Sequence, residues 1–161
     1  MKAVVHDTYG PPEVLRVEEV ERPVPNDDEV LVRVHAVSVN RTLDLAVRAG
    51  TDAVRAALPH VLGVDPSGVV AAIGPGVTTH TVGDRVVTRQ ILRPGGATAG
   101  PSLLGVHAWG GYAEFVKVPV TATHPIPNGL DYVTATVVAR HAPTALSMLR
   151  DVARLAPGEW V

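Results

Sequence analysis

Gly63-Val64-Asp65-Pro66-Ser67-Gly68-Val69-Val70-Ala71-Ala72-Ile73-Gly74-Pro75-Gly76, followed by Gly83-Asp84-Arg85-Val86, is the stretch on which the fold turns. From Gly68 to Ile73 it is small and apolar without alternation, the pattern of a strand buried on both faces, and Gly74-Pro75-Gly76 ends it in a turn. Glycines at 63, 68, 74, 76 and 83 permit tight corners or close backbone approach. A small irregular β-barrel needs such residues wherever its strands change direction.

Outward from this stretch, Glu29 to Val39 is the clearest strand, with Arg33 and His35 on the face opposite Val32 and Val34. Lys2 to His6, Val14 to Glu18, Asp84 to Thr88 and Tyr112 to Val118 read as further strands. The turn cluster Arg22 to Asp28 carries proline-fixed backbone. Between Thr42 and Ala49 the period changes to a helical one, with Leu43, Ala46 and Val47 on one side and Gly50 as the stop. Arg93 to Gly100 holds four Gly or Pro and reads as a mobile loop. Past Pro125-Ile126-Pro127-Asn128-Gly129 two helices are expected, Asp131 to Ala139 and Thr144 to Leu155, the second with Ala145, Met148, Leu149 and Val152 on one stripe. Asp131 suits the first helix's start, where a carboxylate accepts from free backbone N–H groups. A boundary at this point divides the chain into 1–125 and 126–161.

Composition agrees with a sheet-rich core. Thirty of the 161 residues are valine, whereas Trp, Tyr and Phe together supply six. The absence of cysteine excludes disulfides, thiolate zinc sites and thiol nucleophiles. A formal charge of −2 without a dense Lys/Arg block gives no footprint for nucleic acid or an anionic membrane. No apolar stretch is long enough to span a bilayer and no signal-peptide core opens the chain, so a cytoplasmic location is expected. The seven histidines show no His-x-x-x-His pairing, so no metal site is expected.

Gly63, Asp65, Gly68, Val70, Gly74, Val77 and Gly83-Asp84-Arg85-Val86, with Gly110-Gly111-Tyr112-Ala113-Glu114-Phe115 and Leu155-Ala156-Pro157-Gly158-Glu159-Trp160-Val161, together resemble the N-terminal GroES-like domain of medium-chain dehydrogenases/reductases. The resemblance covers essentially the whole chain and is nearest to quinone-oxidoreductase-like and zinc-binding-dehydrogenase-like members. It implies a mainly β, GroES-like irregular barrel with short helices, then two helices leading toward a Rossmann domain that these residues lack.

In zinc alcohol dehydrogenases a Cys, a His and a later Cys hold the catalytic metal. The corresponding places here read Asn40, Gly63-Val64-Asp65 and Arg140-His141, so no zinc is expected. The resemblance then implies hydride transfer from NADPH or NADH to a quinone, enone or carbonyl, with the cofactor site mostly outside these residues. Asn40, Thr42, Asp44 and His141 are the implied catalytic residues, Asn40 and Thr144 the nicotinamide contacts, and Arg41 and Asp65 the substrate-pocket residues. Quinone oxidoreductases place the acid three residues after the asparagine. Asp44 lies four after Asn40, so either Asn40 or Arg41 owns that position.

Each of these residues also has a structural reading. Asn40 suits the cap of the short helix, Asp65 suits bonding to turn amides, and His141 suits a neutral helix position. No Gly-x-Gly-x-x-Gly follows a strand, and Gly95 to Gly100 has the wrong spacing. The expectation is a substrate-side part of an oxidoreductase, truncated or split, that is inactive and binds nucleotide weakly or not at all alone. Its partners would be a small-molecule substrate and a second copy or a complementing Rossmann-domain chain. The alternatives are a stand-alone GroES-like binding module and a non-catalytic paralogue.

Overall fold

A computed structural model describes residues 1–51, 55–93 and 100–161. The strands are β1 (Lys2–His6), β2 (Arg16–Glu19), β3 (Glu29–Ala36), β4 (His60–Val61), β5 (Ser67–Ile73), β6 (Arg85–Thr88), β7 (Ile91–Arg93), β8 (Ser102–Leu103), β9 (Phe115–Pro119) and β10 (Thr123–Pro125). The helices are α1 (Leu43–Ala49) and α2 (Tyr132–Ser147). The loop expected over Arg93 to Gly100 falls mainly on 94–99, outside the described residues.

Strand β3 is the spine of an antiparallel five-stranded sheet ordered β10-β6-β5-β3-β9. Its first four residues are buried on both faces and the rest alternate. Val30, Val32, Val70, Val86, Val116 and Val118 close on one another beneath it as the main core. A three-stranded sheet, β2-β1-β4, is stitched to this body where the Val4 amide donates to the Tyr112 carbonyl and the Glu114 amide to the Lys2 carbonyl. Among the described residues the third sheet is the ribbon β7-β8, whose Leu92 packs into the core beneath the five-stranded sheet.

Two glycines make these corners possible. A Cβ on Gly68 would run into the carbonyl oxygen of Arg33 where β3 and β5 approach, beside an irregularity in their pairing. Gly63 has φ +101°, and a Cβ there would lie 2.8 Å from the Tyr112 nitrogen.

The two expected C-terminal helices are in fact one. Helix α2 runs unbroken from Tyr132 to Ser147 with Pro143 inside it. Proline removes a single backbone donor while its fixed φ remains helical, so the region of Arg140 to Pro143, expected as a break, continues the helix. The irregularity comes afterwards, as a π turn over Met148–Val152 in which the Ala153 amide donates to the Met148 carbonyl at 2.9 Å. Asp131 caps α2 as expected, accepting from the Thr134 amide at 2.8 Å.

The first half of α2 docks on the five-stranded sheet. Ala135 packs with Val87 and Ile126, the Thr136 hydroxyl donates to Ser67 Oγ, and Ser67 Oγ donates to the Tyr132 carbonyl. Packing therefore carries across the expected boundary at residue 125.

Candidate functional site

The chain leaves β3 through Val37-Ser38-Val39 and turns at Asn40 into α1. Asn40 Oδ1 accepts from the Thr42 amide at 3.2 Å and the Leu43 amide at 2.9 Å, satisfying donors that the helix itself leaves free. Gly50, left-handed at φ 73°, ends the helix as expected. The capping use of Asn40 and its presence on a cleft coexist, because only the side-chain oxygen is occupied by the cap.

That cleft, about 490 Å³, opens between α1 and α2 and is lined by Asn40, Thr42, Leu43, Arg140, His141, Thr144, Ala145 and Met148. It brings together Asn40, Thr42, His141 and Thr144, drawn from two segments far apart in the sequence. An adjoining groove of about 450 Å³ runs over the sheet and carries Asp65, Thr88, Arg89, Gln90 and His124 on its wall. Arg140 lines both, and its Nη1 donates to Gln90 Oε1 at 2.8 Å. Asp65 thus belongs to the groove, while Asp44 and Arg41 line neither space.

Asp44 is 2% exposed and sits behind the cleft wall. Its Oδ2 accepts from the Asn40 amide at 2.7 Å and the Tyr112 hydroxyl at 2.8 Å, and its Oδ1 from the Gly63 amide at 3.2 Å. Burial pushes this carboxyl above the usual aspartate range, opposed by those three hydrogen bonds. Burial and then the bond to Asp44 push the Tyr112 hydroxyl up, so it stays a donor. Asp44 therefore ties the turn before α1 to Gly63 and to the Gly-Gly-Tyr segment. Asp65, also 2% exposed, accepts from the Ser38 amide at 3.1 Å and takes the Ser38 hydroxyl at 2.7–2.8 Å.

Tyr112, Ser38 and Gln90 hold this architecture and were not singled out by sequence reasoning. Tyr112 stands inside a quoted motif, but its partner Asp44 lies 68 residues away. Nothing in linear spacing marks Ser38 or Gln90.

The positions that correspond to the zinc ligands of alcohol dehydrogenases carry Asn40, Asp65 and the Arg140-His141 pair. Asn40 offers an amide, Asp65 is occupied by Ser38, and Arg140 is a cation. Among the described residues no three His, Asp or Glu side chains converge. Elsewhere a third, more enclosed cavity of about 400 Å³ is walled by Leu92, Trp109 and Phe115. Glu29 and Lys117 on its wall pair with each other at 3.1 Å, and it shares no residue with the α1–α2 cleft.

The order of these antiparallel sheets, with α2 docked on the five-stranded one, defines a GroES-like body. The chain belongs to the alcohol dehydrogenase GroES-like domain family, whose model matches residues 26–128, within the medium-chain dehydrogenase/reductase superfamily. It is 32% identical over 162 residues to the quinone oxidoreductase of Sus scrofa, covering all of this chain and 44% of that protein. It is 34% identical over 172 residues to an alcohol dehydrogenase of Geobacillus stearothermophilus, covering all of this chain and 50% of that protein. The crystal structure of an NAD-dependent alcohol dehydrogenase superposes with a TM-score of 0.89 at 38% identity, over 99% of this chain and 49% of that one. The chain thus spans about half the length of the relatives it matches.

Proposed function

We propose that this chain is the substrate-side half of an NADPH- or NADH-dependent oxidoreductase that reduces a quinone, enone or carbonyl without zinc, and that it does not turn over alone. The supporting observation is the α1–α2 cleft, which gathers Asn40, Thr42, His141 and Thr144 around one space with no chemistry of their own strong enough to replace a cofactor. When bound, the nicotinamide supplies the hydride. The residues of this chain supply position and protons. The Asn40 side-chain amide nitrogen, left over by the helix cap, and the Thr144 hydroxyl orient the nicotinamide edge, while Thr42 and His141 offer proton-bearing groups to the substrate oxygen. Asp65 contributes from the adjoining groove, and in this reading Arg41, which lines neither space, reaches the substrate only from outside the cleft. We assign Asp44 as a positioning residue, since all its contacts lead to the backbone that carries Asn40 and Gly63 and to Tyr112.

The outward face of α2 and its π turn supports the partner reading. Leu146 and Val152 are exposed there, at 55% and 77%, while the exposed Met148 lies on the cleft side. In this reading that face is covered by a nucleotide-binding domain, in the same protein or on a complementing chain, or by a second copy. A small-molecule substrate, no nucleic acid or membrane, and a cytoplasmic setting complete the proposal. Among the described residues no helix is long and apolar enough to cross a membrane.

The test joins Val161 to the nucleotide-binding half of the Sus scrofa quinone oxidoreductase and follows NADPH and NADH oxidation with a quinone, an enone and a ketone. Turnover is expected, with Thr144→Ala and Asn40→Ala lowering kcat/KM. A fusion that folds and binds NADPH yet reduces none of the three contradicts the proposal.

A further inference from the structure

We propose that the compound taken by the α1–α2 cleft and its adjoining groove carries an oxyanion, a carboxylate or a phosphate, that is met by Arg140 with Arg89 beside it. The inference names a substrate class for the site of the preceding reading and rests on that reading for its location. It is carried by how the charges on the walls are partnered.

Arg140 is half-buried where the two spaces meet. Among the described residues its polar tether is a neutral amide oxygen, Gln90 Oε1 at 2.8 Å, which orients the guanidinium without compensating its charge. The guanidinium carries five N–H donors in a planar fork, so most remain for a ligand. Arg89 adds a second cation on the groove wall. Arg16 holds Asp7 and Glu18 and Arg150 holds Asp151, whereas Arg48 and Arg85 spend their donors on backbone carbonyls away from these two spaces. Among the described residues neither Arg140 nor Arg89 makes an ion pair.

The opposing charges on these walls are few. Asp65 is the one carboxylate lining either space among the described residues, and its oxygens take the Ser38 hydroxyl and amide. The other titratable groups facing the space are His141 in the cleft and His124 in the groove. Two cations against one occupied carboxylate leave a positive surplus beside the place where Asn40, Thr42 and Thr144 gather. A planar, bidentate oxyanion is what such a fork recognises best.

Binding alone tests this, independently of hydride transfer. Monomethyl fumarate and dimethyl fumarate are both activated alkenes and differ by one carboxylate. Each is titrated into the 161-residue chain while arginine Nε–H and backbone amide resonances are followed by NMR. The acid should bind at least about ten-fold more tightly than the diester. It should also shift the Arg140 and Arg89 side-chain signals, and Arg140→Gln should abolish the difference while Arg140→Lys keeps part of it. Inorganic phosphate, added as competitor, distinguishes the source: displacement of the acid marks a general oxyanion site, and no displacement marks a carboxylate site. Equal affinity of acid and diester for the unaltered chain overturns the proposal whatever the variants do, as does a folded Arg140→Gln that binds the acid undiminished. Either result leaves the hydride-transfer reading standing, and a fusion without turnover leaves the oxyanion preference standing.

Discussion

The sheet body and the outer half of α2 dispose of their side chains in opposite ways. In the body, valines from β3, β5, β6 and β9 are closed off from water, and buried carboxylates such as Asp44 and Asp65 are filled by backbone and hydroxyl donors. Along α2, Ala135 and Thr136 dock on the sheet, but Val137 and Leu146 are exposed, as is Val152 in the π turn. The same helix therefore finishes one interface and begins another. The cleft lies where the two regimes meet, with Asn40 and Thr42 supplied by the body and His141 and Thr144 by the helix.

The comparison breaks first at Gly68. Gly68→Ala forces a Cβ into the Arg33 carbonyl and should cost about 3 kcal/mol or more by separating β3 from β5, read as a lower urea midpoint. Next is the buried carboxylate. Asp44→Ala strands two backbone amides, leaves the Tyr112 hydroxyl only the Ser38 carbonyl at 3.3 Å and should cost about 3 kcal/mol, whereas Tyr112→Phe, which removes one donor, should cost about 1 kcal/mol.

A third test uses pH. His60 is buried against His6, ring centroids 5.8 Å apart, and burial holds its imidazole below the ordinary 6.5. The unfolded chain then takes up the proton first. The stability His60 contributes is complete above about pH 6.5 and is lost as the pH falls through the depressed folded value. Chemical denaturation at several pH values should show this acid loss, and His60→Phe should reduce it. The smallest effect belongs to the outer helix. Leu146→Ser should change stability by no more than about 0.5 kcal/mol, yet reduce self-association measured by light scattering.

Much of this was legible in the sequence because it depends on neighbours in the chain. The strand Lys2–His6, the stop at Gly50 and the cap at Asp131 are set within a few residues and appear where expected. The helical break before Thr144 did not appear, because a proline's lost donor is a local cost that the rest of a continuous helix outweighs. Of the expected site residues, the cleft gathers Asn40, Thr42, His141 and Thr144. Where Asp44 and Asp65 stand depends on Tyr112 and Ser38, partners 68 and 27 residues distant, which no local pattern encodes.

The central claim is that these residues form the substrate side of a nucleotide-dependent enzyme and do not hold the nucleotide by themselves. Isothermal titration of NADPH and NADH into the purified 161-residue chain, with its mass checked by light scattering on the same sample, tests this most directly. The account predicts no binding at micromolar concentrations, together with self-association through the outer face of α2. Tight binding of either nucleotide by a clean monomer would contradict it.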